Sequence, residues 1–450
     1  MSALLERLPF FRRRPILVAK FPGRGRPKHG WPWFLAGVLL GVVALSGLYF
    51  WGTSGRTLTQ PVRLDYGPAS PAFAAVYGPL LGAEFTGGNS VEVLVNGVEF
   101  FPAMLSAIAG AQQTITLETY IWTSGTISDR FIAALSERAR HGVKVLVLID
   151  GMAPLEFKQA DRTRLSDSGV QLRTYARHHW YDFKLNFNHR THRKILVVDG
   201  KVGFTGGMCI DDQWLGDADS TKVWRETQVR VAGPVVREMQ AVFASNWLET
   251  TSGLLLGADY FPPITARGGV LAQCIESGPG EGPENARICY LLAIASARES
   301  IDLSSAYFVP DDLSIETLLE ARARGVRVRI IIPALTDSRM GRAASRSRWR
   351  RLLAAGVEFY QYLPAMDHCK VLIVDEVFVC VGSINFDNRS FSLNDEIALN
   401  TLDRSVARTH LKVFADDLQQ SQRITREEFE SRPFYQKLAD ELCGLFRSQF

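Results

Sequence analysis

His192-Arg193-Lys194-Ile195-Leu196-Val197-Val198-Asp199 and His368-Cys369-Lys370-Val371-Leu372-Ile373-Val374-Asp375 are the two stretches that decide how this 450-residue chain folds. Each reads His-x-Lys, then four apolar residues, then Asp. Along a strand, side chains i and i+2 share a face, so an imidazole and an ammonium point together in each copy. The apolar run buries the strand, and Asp199-Gly200 or Asp375-Glu376 suits a tight turn into the next one. Gly206-Gly207 follows the first copy, and Gly382-Ser383 with Asn385 follows the second. A single His-x-Lys would read as a solvated strand edge; two copies at equal spacing in matched places do not arise by coincidence.

The flanks repeat too. Ile115-Thr116-Leu117-Glu118-Thr119-Tyr120 matches Ile301-Asp302-Leu303-Ser304-Ser305-Ala306, and Arg140-His141-Gly142-Val143 matches Ala323-Arg324-Gly325-Val326. Ser168-Gly169-Val170 matches Ala355-Gly356-Val357, and the offsets are 186, 183 and 187 residues. Strands alternate with helices in both segments: strand 91–95, an Asn96-Gly97 turn, an amphipathic stretch to Ala109, strand 114–122, helix 128–140 and strand 143–150 in the first. The second runs strand 270–275, helix 284–297, strand 301–308, helix 314–324 and strand 326–333. This pattern predicts an internally duplicated α/β unit, with a mostly parallel sheet covered on both faces in each half.

The residue types carry the chemistry. Two lysines side by side with two histidines suit an anionic substrate that resists attack until its charge is neutralised, such as the phosphodiester that the family resemblance of these motifs implies. One neutral histidine can attack phosphorus while the other protonates the leaving alcohol. The candidate catalytic set is therefore His192, Lys194, Asp199, His368, Lys370 and Asp375, with the aspartates expected to fix turns rather than touch substrate. Gly206, Gly207, Ser383 and Asn385 support them. No metal and no cofactor is expected: His189 and His192 are three apart, yet no further ligands lie nearby.

Those motifs resemble the phospholipase D superfamily, whose signature is a duplicated HxKx4Dx6G[GS]xN, and most of all its bacterial cardiolipin synthase branch. Further likeness lies in Leu117–Ile121, Trp224–Pro234, Tyr307–Pro310, Asp387–Ser390 and Leu393–Glu396, so it covers most of residues 89–400. The second motif matches in full; in the first, Cys209 stands in the Asn slot. A thiol is a poor substitute for an amide, and it reads best as a small buried hydrophobe. The resemblance implies two α/β/α halves around one shared active site, with His192 as nucleophile, His368 as acid, and an orienting carboxylate on the following strand. Glu226, 34 residues after His192, and Glu396, 28 after His368, are the candidates. It also implies transfer of a phosphatidyl group to the glycerol headgroup of phosphatidylglycerol. Hydrolysis by a phospholipase D or nuclease remains the alternative, with a degenerate lipid-binding scaffold as a third reading.

Other basic clusters carry two readings each. Arg177-His178-His179-Trp180 with Lys184 is a lid or headgroup contact, or a solvated loop. Arg339, Arg342 and Arg346 share a helical face that lines phosphate or faces solvent.

The net charge of +4 divides unevenly. Residues 1–30 hold eight basic groups and one acid, +7, which leaves −3 for residues 31–450. A body that is net acidic argues against nucleic acid as partner. Six cysteines without a CxxC pair exclude a disulfide scaffold and a cysteine-rich zinc site. Residues 31–55 carry no charge, and a bilayer crossing needs roughly 20 apolar residues. The aromatic ends and the long leader speak for an uncleaved anchor rather than a signal peptide or a core helix. The positive-inside rule then places the N-terminus in the cytoplasm and the body on the outer side of the inner membrane. Gly37 and Gly41 form a small-xxx-small pair through which two anchors can pack. The expected organisation is a leader (1–30), an anchor (31–52), a linker (53–88) and two halves (89–256 and 268–450).

Overall fold

The structure is a computed structural model and describes residues 31, 34–41, 58–151, 156–175, 189–280 and 282–449. Most of the expected leader and anchor, and the Arg177–Lys184 cluster, lie outside the described residues. Residues 34–41 are helical, and no helix among the described residues is long and apolar enough to cross a membrane. Residues 58–450 form one compact unit.

Each motif strand sits at the centre of its half. In the first half the order from the outer edge is Gln171–Tyr175, Lys144–Asp150, Thr114–Thr119, Ile195–Val198, Val202–Gly206, Thr227–Ala232 and Thr86–Val95. The second half repeats it with Glu358–Tyr362, Arg327–Pro333, Ser300–Ser305, Lys370–Val374, Phe378–Gly382, Asn394–Leu402 and Val270–Ser277. Thr86–Val95 and Val270–Ser277 pair antiparallel and join the two runs into one sheet.

The expectation of mostly parallel sheets is corrected: the sheet is mixed. In each run three consecutive strands, ending at Gln171–Tyr175 and at Glu358–Tyr362, are parallel to one another because each is reached through a helix; Ser421–Ile424 adds antiparallel to the outer side of Glu358–Tyr362. The motif strand and its neighbours are antiparallel. A three-residue turn can join only antiparallel neighbours, and the motif aspartates begin that turn. Asp199 and Gly200 have φ of 51° and 60°, and Asp375 and Glu376 have 50° and 54°. Asp199 accepts the backbone N–H groups of Gln112, Gln113 and Thr114 at 2.7–3.1 Å. Asp375 does the same for Arg298, Glu299 and Ser300 at 2.8–3.0 Å.

The stretch expected as a linker is also corrected. Pro71–Leu81 is a helix with Ser70 as N-cap and Gly82, at φ 71°, closing it. Phe73, Tyr77 and Leu81, spaced four apart, are buried in the core of the second half, and the Tyr77 hydroxyl donates to the Cys289 carbonyl at 3.0 Å. Helices pack on both faces: Asn96–Ala109 and Thr126–Arg140 on one side of the first run, Asn285–Ser296 and Asp312–Ala323 on one side of the second, and Val236–Thr251 and Arg404–Gln419 in the core that the runs share. Between the runs, Val197, Val229 and Val231 share one core with Val371, Val381 and Leu399, so the halves meet through packed apolar side chains.

Candidate active site

The two histidines are placed by strand pairs that cross between halves. Arg190–Thr191, just before His192, pairs in parallel with Asn394 and Asp395 of the second half. Met366–Asp367, just before His368, pairs with Trp224 and Arg225 of the first. The His192 N–H then donates to the Asp395 carbonyl at 2.9 Å, and the His368 N–H to the Arg225 carbonyl at 2.8 Å. The next residue on each partner strand is a glutamate. Nδ1 of His192 lies 3.0 Å from both oxygens of Glu396, and Nδ1 of His368 lies 2.8 Å from Glu226 Oε2. Both expected carboxylates thus reach a ring, but across the repeat. Glu226 follows His192 in the chain and holds His368; Glu396 follows His368 and holds His192. An ionised carboxylate only accepts, so it fixes the proton on Nδ1 and leaves Nε2 as the ring's unprotonated nitrogen.

The supporting residues explain their own chemistry. A Cβ at Gly207 would fall 2.3 Å from Glu226 Oε2, so only glycine lets that carboxylate lie against the backbone. Ser383 occupies the equivalent place and donates its hydroxyl to Glu396. Glu226 is held further by the Thr227 N–H at 2.9 Å, while Asn96 Oδ1 accepts the Glu226 N–H at 3.1 Å. Asn96-Gly97, expected as a turn, is the start of the helix Asn96–Ala109. Lys194 and Lys370 each curl back to donate to the carbonyl of their own histidine at 2.6 Å. The Lys370 ammonium lies 3.1 and 3.2 Å from the ring nitrogens of His368, and that of Lys194 lies 5.2 Å from the Tyr120 ring centroid.

All six ionisable groups are buried, and burial governs their protonation. Both imidazoles are held well below their ordinary range, by burial first and by the nearby lysines next. Burial pushes Glu226 and Glu396 up to about 7 and pulls Lys194 down to about 8; Lys370 is lowered for the same reason. Each imidazole and its glutamate are best regarded as one coupled pair.

His192, Lys194 and His368 open on one cleft of about 370 Å³. Cys209 and Asn385 share it at matched positions; burial raises the Cys209 thiol, and the buried Asn385 Oδ1 has no hydrogen-bond partner among the described residues. The walls are aromatic. Trp224 and Trp214 stand 5.0 and 5.3 Å from the His368 ring, Tyr307 stands 6.3 Å from it, and Tyr120 stands 5.1 Å from His192. Arg389 also reaches the cleft. None of these five was singled out by spacing, and their signal was local: Tyr120 and Tyr307 end the strand segments that precede each motif in the repeat.

Several expected residues lie elsewhere. Asp199 and Asp375 close the far ends of the motif strands, roughly 16 Å along the chain from the lysines at strand rise. The arginine face is corrected as well. Arg342 donates to the Pro333 carbonyl and Arg346 to Asp440, while Ser338 and Gly341 at the start of that helix line the cleft. His189 pairs with Asp395 at 2.6 Å.

Comparison with known proteins places this geometry. The family described as "Cardiolipin synthase, PLD-like domain" matches residues 104–247 and 290–418. Cardiolipin synthase A of Pseudomonas putida (strain GB-1) is 37% identical over 361 residues, 79% of this chain and 74% of that protein. A probable cardiolipin synthase of Bacillus subtilis (strain 168) is 33% identical over 362 residues, 80% and 72% of the two chains. The crystal structure of a Haemophilus influenzae phosphatidylserine synthase has the same fold at 15% identity, with a TM-score of 0.59 over 80% of this chain and 95% of that one. With both motif histidines facing one cleft and these relatives spanning both halves, the chain is an enzyme of the phospholipase D superfamily and belongs to its cardiolipin synthase family.

Proposed function

We propose that the protein moves a phosphatidyl group from one phospholipid to the glycerol headgroup of phosphatidylglycerol, making cardiolipin through a phosphohistidine. The observation that carries this reading is the crossed pair of histidine–glutamate contacts beside a single cleft that both histidines and Lys194 line. In the first step His192 Nε2 attacks phosphorus, the bond to the departing headgroup oxygen breaks, and His368 gives that oxygen a proton. In the second step an incoming alcohol loses its proton to His368, attacks phosphorus, and releases His192. Lys194 and Lys370 neutralise the non-bridging oxygens in both steps. An arriving phosphate anion also offsets the lysines that hold the imidazoles neutral, which favours the protonated acid in the bound state. Four aromatic side chains around the histidines exclude water, and this supports transfer over hydrolysis. The charge-free stretch 31–55 behind a +7 leader supports an anchor in the inner membrane with the body outside the cytoplasm.

Purified full-length protein in phosphatidylglycerol vesicles, with no added metal, is expected to yield cardiolipin and glycerol by mass spectrometry. Phosphatidic acid as sole product would replace transfer with hydrolysis, and no turnover of any phosphodiester would favour the binding-scaffold reading.

The pH dependence follows from the same groups. Raising pH strips the proton shared by each histidine–glutamate pair and then the Lys194 charge, whose groups sit near 7 and 8. Activity as kcat/KM is therefore expected to fall on the alkaline side, from just above neutrality, in a profile measured on vesicles of constant composition.

A further inference from the structure

The helix Phe434–Gly444 near the end of the chain carries its polarity inside out. Its buried side holds Asp440, 2% exposed, whose carboxylate pairs with Arg346 at 3.0 Å and Arg432 at 2.7 Å. Gly444 completes that side against Ser347, whose hydroxyl would lie 2.7 Å from a Cβ there. Facing outward are Phe434, Tyr435, Leu438 and Leu442, continued by Leu445 and Phe446, all between 47% and 77% exposed. At 100° per residue the four helical positions fall within an arc of about 100°, the width of an apolar stripe built to be covered. Scattered exposed hydrophobics are ordinary, but a contiguous set on one face is not.

Its location says what covers it. The helix packs on Arg339–Ser347, whose first turn walls the cleft through Ser338 and Gly341 and whose Met340 is 54% exposed. Gln449, three residues beyond Phe446, lines the cleft itself. The apolar stripe is thus continuous with the cleft rim. A cleft that takes a two-chain lipid by its phosphate must meet it at the bilayer surface, because acyl chains do not leave hydrocarbon for water.

The geometry points to Phe434–Phe446 as a bilayer-docking face that seats the cleft mouth on the lipid surface, an assignment that rests on the phospholipid reading of the site. The apolar side chains enter the headgroup–acyl boundary, while Asp440 fastens the helix to the catalytic body.

The test uses the full chain in vesicles of phosphatidylglycerol and phosphatidylcholine with brominated acyl chains. A bimane label is placed at Leu442→Cys with Cys443→Ser, and as control at Leu256→Cys. Leu256 is 73% exposed and belongs to the segment that packs, through Tyr260, on the turn at Gly200, at the far end of a motif strand. The label at 442 is expected to be quenched by bromine about five-fold more than that at 256. Equal quenching would overturn the assignment, whether position 442 is then open to iodide or covered by a second copy or by residues 1–57. In parallel, Leu438→Glu with Leu442→Glu is expected to slow turnover of vesicle lipid about ten-fold and to leave water-soluble short-chain phosphatidylglycerol unaffected. Equal loss on both substrates would overturn it. The quenching arm reads lipid contact whatever reaction occurs, so its failure is separable from failure of the transfer reading.

Discussion

Replacing either motif histidine with alanine is expected to lower phosphatidyl transfer by about 1000-fold or more, the loss typical when one member of a cooperating catalytic pair is removed. The two variants should nevertheless fail differently. His192→Ala removes the proposed nucleophile, so no phosphoenzyme forms with any substrate. His368→Ala removes the proposed acid, so natural headgroups leave slowly. A phosphatidyl ester of p-nitrophenol needs no proton to depart. With that substrate His368→Ala is expected to release a burst of nitrophenol, trap phosphatidyl-His192 in the intact-protein mass spectrum, and then stall for lack of a base. The opposite pattern would exchange the roles of the two residues, and substantial turnover in either variant would refute the paired-histidine mechanism. Both rings are buried and hydrogen-bonded to a carboxylate, so each variant also leaves a glutamate without its ring. A thermal melt of each variant separates that structural cost from the chemical one.

The sequence made the motif residues legible because a strand enforces their geometry locally. His-x-Lys on a period of two must share a face wherever the strand goes, and the duplication made the pattern hard to mistake. Sheet direction was less accessible, since alternation of strands and helices hides any hairpin that falls between them. The turns that begin at Asp199-Gly200 and Asp375-Glu376 carried that information: three residues suffice for a reversal and not for a crossover. The helix Pro71–Leu81 was masked by composition. Pro71 at its start, Gly82 at its end and apolar residues every four positions outlined it within a stretch that otherwise reads as linker. The aromatic walls of the cleft come from four separate loops or strand ends, and no periodicity joins Tyr120, Trp214, Trp224 and Tyr307. The docking stripe was hidden for a different reason: an amphipathic helix looks alike in sequence whether its apolar side faces the core or the outside.

Least legible of all was which glutamate serves which histidine, and this gives the second large effect. Distance along the chain ties Glu226 to His192 and Glu396 to His368, whereas the strand pairs at Asp395 and Arg225 tie them the other way. Glu226→Gln is expected to reproduce the failure of His368→Ala, and Glu396→Gln that of His192→Ala, each with a loss of about 100- to 10,000-fold in kcat. The physical reason is tautomer and charge. Glu226 Oε1 already accepts the Thr227 N–H, so a glutamine there keeps its carbonyl on Thr227 and turns its NH2 toward His368 Nδ1. That arrangement opposes the imidazolium an acid must form. At Glu396 the Ser383 hydroxyl plays the part of Thr227, and a neutral amide no longer supports the positive charge that develops on His192 as its bond to phosphorus forms. With the nitrophenyl ester, Glu226→Gln should therefore trap phosphoenzyme, and Glu396→Gln should form it about 100- to 10,000-fold more slowly. Each glutamate variant is compared with the histidine variants and not with an assumed role, so the crossing is tested even if nucleophile and acid are exchanged. Matching phenotypes within one half, Glu226→Gln with His192→Ala, would mean that each half works with its own carboxylate and that the crossed contacts do not govern catalysis. Matching phenotypes between halves would make neither half competent alone, because each histidine would depend on a charge that only the other half supplies.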